Sequence, residues 1–186
     1  MKKIKLALLV AGSLVAGAST SAFAGEGQGT VTFDGELINE TCKIVGKKDQ
    51  TVELPTVSVK TLTTSGEEGG FKTFKIEVDC SGTENSALNG KNLAVHFEPI
   101  ASTTAWDPET GNLKNNVVGG AENVQVKIYD TNGGQQVHAK IGETGNPVVI
   151  DTSKKMIFNY AGGYYATGKT SAGKVAATVM YTLVYP

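Results

Sequence analysis

The chain has 186 residues, with 17 basic and 18 acidic side chains and a formal net charge of −1. Every basic residue is a lysine, so the chain lacks the guanidinium forks that suit phosphate recognition. No run of positive charge marks a nucleic-acid surface. We therefore exclude nucleic acid as an expected partner.

The first 24 residues have the pattern of a secretory signal peptide. Three lysines lie within the first five residues, an apolar stretch covers residues 4–18, and Ala22 and Ala24 supply the small residues of a cleavage site. An uncleaved membrane anchor is the alternative, but glycines interrupt the apolar stretch. Cleavage would leave 162 residues with a charge of −4, enough for one domain with a sizeable core.

A short amphipathic segment, residues 29–38, follows soon after the cleavage site. Val31, Phe33 and Leu37 share one parity with Gly35, while the other parity holds the polar residues Thr30, Thr32, Asp34 and Glu36. This period of two predicts a strand with one buried face, which needs an apolar groove. The groove could belong to the same chain or to a neighbour.

Two cysteines, Cys42 and Cys80, lie in the exported part of the chain. An even pair in an oxidising compartment predicts a disulfide, and closing this 38-residue interval would stabilise the fold by about 4 kcal/mol in the loop-entropy model. A metal site is the alternative, but neither cysteine has another Cys or a His at ligand spacing.

The rest of the chain alternates short β-rich runs with clusters of Gly, Asn, Asp and Ser. Predicted strands cover residues 50–54, 71–80, 93–99, 124–129, 135–139, 148–150, 156–160, 164–169 and 174–185. The pair Asn132 and Gly133 between two runs predicts a hairpin. Strands at this spacing, without a linker, predict a single all-β sandwich.

The last predicted strand is apolar on both parities. Such a pattern favours burial on both sides, deep in a sheet. The strand nevertheless runs almost to the C-terminal Pro186, so no later segment is present to pair with it. A long unpaired apolar strand invites another chain to add a strand.

Both ends of the chain resemble the structural pilins of Gram-negative chaperone-usher fimbriae, particularly major subunits of the P and type 1 pilus kind. The N-terminal motif is Gly-Gln-Gly-Thr-Val-Thr-Phe-Asp-Gly-Glu-Leu-Ile-Asn, followed by Cys42. At the C-terminus such pilins carry a glycine fourteenth from the end and an aromatic residue next to last. Gly173 and Tyr185 occupy those positions.

The resemblance implies an incomplete immunoglobulin-like β-sandwich that lacks its final strand and is completed by donor-strand exchange. The implied donor residues are Val31, Phe33, Gly35 and Leu37. The implied wall of the groove is the C-terminal strand, with Gly173, Val175, Val179, Tyr181, Leu183 and Tyr185. The carboxylate of Pro186 matches the anchor that a chaperone's basic cleft holds, although many family members end in a polar residue.

The resemblance also implies how the chain is organised and what it meets. Residues 1–24 would be the signal peptide, residues 25–38 the donor-strand extension and residues 39–186 the pilin domain. Expected partners are a periplasmic chaperone, an outer-membrane usher, other pilins and further copies of the chain. The expected product is a cell-surface fimbria that supports adhesion, with a possible host receptor reached through the assembled fibre.

Other functions have weaker support in the sequence. His96 and His138 lack a partner at metal-ligand spacing, and the chain has no nucleophile elbow, P-loop or dinucleotide motif, so we expect no enzymatic activity and no cofactor. A minor adaptor subunit remains an alternative. So does a secreted glycan-binding sandwich with an aromatic platform. Its candidate residues are Trp106, Tyr160, Tyr164 and Tyr165.

Overall fold

The computed structural model describes residues 30–38, 41–100 and 105–186. The chain divides into two units, Met1–Leu37 and Ile38–Pro186. In the first unit the described residues belong to no strand, and the side chains of Val31, Phe33 and Leu37 are exposed. The predicted signal peptide and the start of the predicted donor extension, residues 25–29, lie outside the described residues.

The described part of the second unit contains ten strands and three short 3-10 helices. The strands are β1 (Lys43–Val45), β2 (Glu68–Asp79), β3 (Asn92–Pro99), β4 (Trp106–Asp107), β5 (Asn112–Lys114), β6 (Val124–Asp130), β7 (Val137–His138), β8 (Val148–Val149), β9 (Lys155–Ala166) and β10 (Val179–Val184). The 3-10 helices are Val59–Thr61, Thr83–Leu88 and Asn132–Gly134. Among the described residues, no helix has the length and apolar character needed to cross a membrane.

The strands form two sheets in which every pairing is antiparallel. The larger sheet has the order β1-β2-β9-β6-β5-β4, with β7 paired to β6, and the smaller has the order β10-β3-β8. Phe97 of β3 meets Tyr160 of β9 edge to face, with 5.1 Å between ring centroids. Both sheets thus contribute to one core, and the predicted all-β sandwich is confirmed.

The alternation in β2 determines which face of the larger sheet is buried. Ile76 and Val78 are almost fully buried, and Phe74 of the same parity packs against the core. Lys75, on the other parity, points to solvent and pairs with Glu77 at 2.5 Å. The period of two therefore predicts the buried face of this strand correctly.

The disulfide between Cys42 and Cys80 is present and buried. Cys42 directly precedes β1, and Cys80 directly follows β2. The bond therefore closes one end of the β1–β2 pair, where Lys43 lies opposite Asp79.

Several predicted strand boundaries are wrong. Residues 50–54 form no strand, and the side-chain amide of Gln50 donates a hydrogen bond to the carbonyl of Lys75 in β2 at 2.9 Å. The two strands predicted over residues 156–169 are a single strand, β9, that continues through Gly162 and Gly163. Gly162 pairs with Lys72 of β2 and Ile128 of β6, and Gly163 pairs with Lys127 of β6, so ladder pairing keeps both glycines extended.

The predicted hairpin is confirmed, since β6 pairs with β7 across the turn that contains Asn132 and Gly133. Gly133 has a φ of 79°, a left-handed conformation that glycine adopts without strain. The strands β1, β4 and β5 were not predicted. Each has only two or three residues, too few to show a period in the sequence.

Candidate functional site: an open groove beside the last strand

The last strand, β10, lies at the edge of its sheet. It pairs with β3 from Val179 opposite Pro99 to Val184 opposite Ala94, and the described residues place no strand on its other side. The prediction of a strand deep in a sheet is therefore wrong. Met180, which made the second face look buried, is 47% exposed. The free edge leaves backbone donors and acceptors available to an added strand.

One row of side chains along this C-terminal segment faces the core without being covered. All members of the row are only half-buried, and they are Val175, Ala177, Val179, Tyr181, Leu183 and Tyr185. From Ala177 to Tyr185 they pack against the buried core cluster. A row of apolar side chains that contacts the core yet remains partly exposed forms the wall of an open groove.

The segment that follows Cys42 faces this wall across the groove. The hydroxyl of Tyr185 accepts a hydrogen bond from the backbone amide of Cys42 at 2.7 Å. The hydroxyl of Tyr181 donates to the carbonyl of Lys48 at 2.8 Å. Burial and the nearby Asp49 carboxylate raise the pKa of Tyr181, so the phenol stays protonated and can donate.

These tyrosine side chains take the place of a strand ladder. Within the described residues, no backbone hydrogen bond joins residues 177–186 to residues 41–62. Tyrosine hydroxyls thus connect the two walls.

A cavity of about 570 Å³ lies where the C-terminal segment begins. The residues that line it come from both walls and from the sheet beneath, and they include Val57, Leu62, Val124, Tyr164, Gly173 and Val175. The lining is mainly apolar, so the cavity suits an apolar side chain.

Gly173 lies where two stretches of backbone approach closely. A Cβ atom at Gly173 would lie 2.4 Å from the amide nitrogen of Ala121. A Cβ atom at Gly120 would likewise lie 2.4 Å from the carbonyl oxygen of Lys174. Glycine is required at both positions by this close approach, and the structure thereby gives a physical reason for the glycine fourteenth from the end.

The remaining predicted site residues are placed as follows. Pro186 is exposed at the end of the chain. Val31, Phe33, Gly35 and Leu37 are exposed, and the added Cβ of Gly35 would meet nothing within 4 Å. Sequence reasoning missed Asn115 and Gly120, which contact the C-terminal segment, because no local pattern links them to residues 54 to 61 positions later.

The residues of the alternative glycan platform do not converge. Tyr160 is 1% exposed and lies in the core, between Phe74 and Phe97. Tyr165 instead lies near Lys127, on the other face of the larger sheet. Trp106 packs against the core. No aromatic surface is formed by these side chains.

The two histidines also lie in separate surroundings. His96 lies 3.3 Å from the hydroxyl of Thr144, whereas His138 lies beside the ring of Tyr129. Burial, together with Lys127 and Lys140, lowers the pKa of His138. The described ranges contain no group of three His, Cys, Asp or Glu side chains placed to hold a metal.

The all-β sandwich with an unpaired last strand has the fold of a subunit in a solved chaperone-usher pilus, with a TM-score of 0.57 at 20% identity over 87% of this chain and 97% of that one. The family described as "Fimbrial protein" matches residues 31–186, and the chain belongs to this family. It is a structural subunit that is exported and assembled into surface fimbriae.

Individual relatives agree with this assignment. The chain is 36% identical to the F17 fimbrial protein of Escherichia coli, over 100% of this chain and 99% of the relative. It is also 36% identical to the major fimbrial subunit SMF-1 of Stenotrophomonas maltophilia, over 84% of this chain and 92% of the relative. The P pilus rod subunit PapA has the same fold, with a TM-score of 0.58 at 16% identity over 78% of this chain and 99% of PapA.

Proposed function

We propose that the subunit polymerises by donor-strand exchange, in which residues 29–38 of one copy fill the groove of the next. The observation that carries this proposal is the free edge of β10 beside a half-buried apolar row. A donor strand would satisfy the edge with backbone hydrogen bonds and cover the row with its own apolar face.

The apolar face of residues 29–38 fits such a groove. Because every strand pair of the described residues is antiparallel, we expect the donor to run antiparallel to β10. Leu37, near the end of the donor, would then lie beside the beginning of the C-terminal segment and enter the cavity at Gly173. Gly35, with no side chain to bury, allows a close approach of the backbones.

The expected gain from burial is large. In the free subunit the side chain of Phe33 is 92% exposed, and those of Val31 and Leu37 are also exposed. Burying these three side chains would contribute at most about 5 to 9 kcal/mol, before any backbone pairing is counted. Such a contribution supports a fibre that resists detergent.

The free edge of β10 also supports a role for a chaperone and an usher during assembly. A periplasmic chaperone would lend a strand to β10 until the next subunit arrives at an outer-membrane usher, and its basic cleft would hold the carboxylate of Pro186. The fibre so formed would support adhesion, and the subunit itself would have no enzymatic role.

Deletion of residues 25–38 tests the donor role. Cells that express the truncated subunit with its chaperone and usher should produce no detergent-resistant ladders of this subunit. The control is a full-length chain with Glu36→Ala, which changes the solvent-facing parity and should assemble normally. Ladders formed by the truncated subunit would contradict donor-strand exchange through this segment.

A further inference from the structure

The cavity end of the groove is bordered by residues 115–121, which we call the clamp loop. Its residues Val117 and Ala121 line the cavity together with residues 173–176 of the C-terminal segment. Residues 174–178 of that segment belong to no strand. Their position therefore depends on contacts other than the β10–β3 ladder.

The side chain of Asn115 makes four hydrogen bonds, two to the C-terminal segment and two within the clamp loop. Its Nδ2 donates to the carbonyl oxygens of Ala121, at 2.9 Å, and Lys174, at 3.0 Å. Its Oδ1 accepts from the backbone amides of Val117, at 3.2 Å, and Ala176, at 3.0 Å. The side chain thus ties the clamp loop to itself and to the C-terminal segment.

Backbone hydrogen bonds reinforce this connection. The amide of Asn116 donates to the carbonyl of Ala176, and the amide of Ala121 donates to the carbonyl of Lys174, both at 2.9 Å. Gly120 lies so close to Lys174 that no larger residue fits without a shift. The clamp loop and the C-terminal segment are therefore in direct backbone contact, and the Asn115 side chain adds two hydrogen bonds between them.

We infer that Asn115 is a positioning residue of the groove, which holds Lys174 and Ala176 so that the cavity keeps the shape that receives Leu37 of the incoming donor. This inference rests on the proposed donor-strand exchange. Asn115 acts through the backbone of its neighbours. An aspartate at this position keeps the size of the side chain and its acceptors but replaces the amide donor with a carboxylate that faces two carbonyl oxygens.

The test is a double-mutant cycle on fibres of the full-length chain. Fibres of the wild type, Leu37→Ala, Asn115→Asp and the double variant are dissociated in SDS at one temperature, and the half-times are compared. We expect each single change to shorten the half-time about tenfold, and the double change to shorten it at most about twofold further. The effects overlap because an aliphatic side chain gains little from a cavity that has lost its shape.

Asn116→Asp is the matched control. It introduces the same charge one residue away, on an exposed side chain, and should leave the half-time within about twofold of the wild type. Additive effects of Leu37→Ala and Asn115→Asp, about a hundredfold together, would overturn the inference, because a merely structural role weakens the fibre independently of the donor residue. A wild-type half-time for Asn115→Asp would also overturn it.

Two further outcomes are distinguishable. If Asn115→Asp yields no fibres, the same cycle with Asn115→Ser decides, and failure of that variant to fold would assign Asn115 to folding and overturn the inference. Fibres that form without residues 25–38 would overturn the proposed function itself. Additive effects in fibres that do require those residues overturn only the role of Asn115.

Discussion

The hydroxyl of Tyr185 accepts a hydrogen bond from the backbone amide of Cys42 at 2.7 Å, across 143 positions of the sequence. Cys42 is buried and bonded to Cys80, so this contact joins the end of the chain to its disulfide. The next-to-last aromatic residue thus has a polar function in addition to its place in the groove wall. It connects the C-terminal strand to the opposite wall of the groove.

Tyr185→Phe should destabilise the subunit by about 1 to 3 kcal/mol, because it leaves a buried amide without an acceptor. Tyr181→Phe is the matched comparison. It frees the carbonyl of Lys48, which is exposed and can bind water, so the loss should be within about 0.5 kcal/mol. Urea unfolding, followed by the fluorescence of Trp106, measures both. Equal losses of unfolding free energy in the two variants would show that the hydrogen bond to Cys42 stabilises the subunit no more than the one to Lys48.

Phe33→Asp should abolish polymerisation, because it would place a charge in an apolar groove. Binding to the chaperone should be unchanged, since the chaperone would occupy the groove with its own strand. Thr32→Asp adds the same charge on the opposite parity and should assemble normally. The readouts are the detergent-resistant ladder and co-purification of the subunit with its chaperone. Loss of chaperone binding in Phe33→Asp would instead assign Phe33 to folding.

Gly173→Ala should prevent or strongly slow assembly. The new methyl group would collide with backbone atoms of Ala121, which can yield only if the clamp loop moves away from the C-terminal segment. Gly69→Ala is a suitable control, because an added Cβ there meets nothing within 4 Å. Fibre yield and subunit stability should fall for Gly173→Ala alone. Normal assembly of this variant would contradict the tight approach at the groove.

Acid should lower the free energy of unfolding of the subunit, partly because it protonates Glu68. The carboxylate accepts hydrogen bonds from Lys127 and Tyr129, each at 2.6 Å. Partial burial opposes ionisation of Glu68, but these bonds outweigh it, so the pKa lies below the ordinary 4.5. A depressed pKa stabilises the folded state fully above pH 4.5, and the stabilisation is lost as the pH falls through the folded-state value.

Glu68→Gln should therefore lower stability near neutral pH and lose less stability than the wild type on acidification. Glu143→Gln makes the same charge change on an exposed side chain and is the control for the loss of one negative charge. The measurement is the urea midpoint as a function of pH. Parallel curves for Glu68→Gln and the wild type would contradict the assignment.

The sequence predicts those parts of the fold that depend on local patterns. The alternation of Phe74, Ile76 and Val78 identifies a strand with one buried face, and the pairing of Cys42 with Cys80 follows from two cysteines in an exported chain. The first prediction holds because successive side chains of a strand point to opposite faces, so burial shows in the local sequence. The second holds because cysteines of an exported chain meet an oxidising environment.

Contacts between distant segments could not be predicted in this way. Apolar residues on both parities of the last strand suggested burial on both faces, yet Met180 is exposed and the strand lies at an edge. The alternation of residues along a strand predicts which of its faces are apolar, but it does not predict whether a second strand pairs with it. Asn115 was missed for a related reason, since its partners Lys174 and Ala176 are close only after folding.

The most direct measurement is a cryo-electron microscopy structure of the assembled fibre that resolves side chains in the groove. We predict that residues 29–38 of the neighbouring subunit lie antiparallel to β10, with Leu37 in the cavity beside Gly173. A groove filled by the same chain's own segment, or a groove left open in the fibre, would contradict donor-strand exchange.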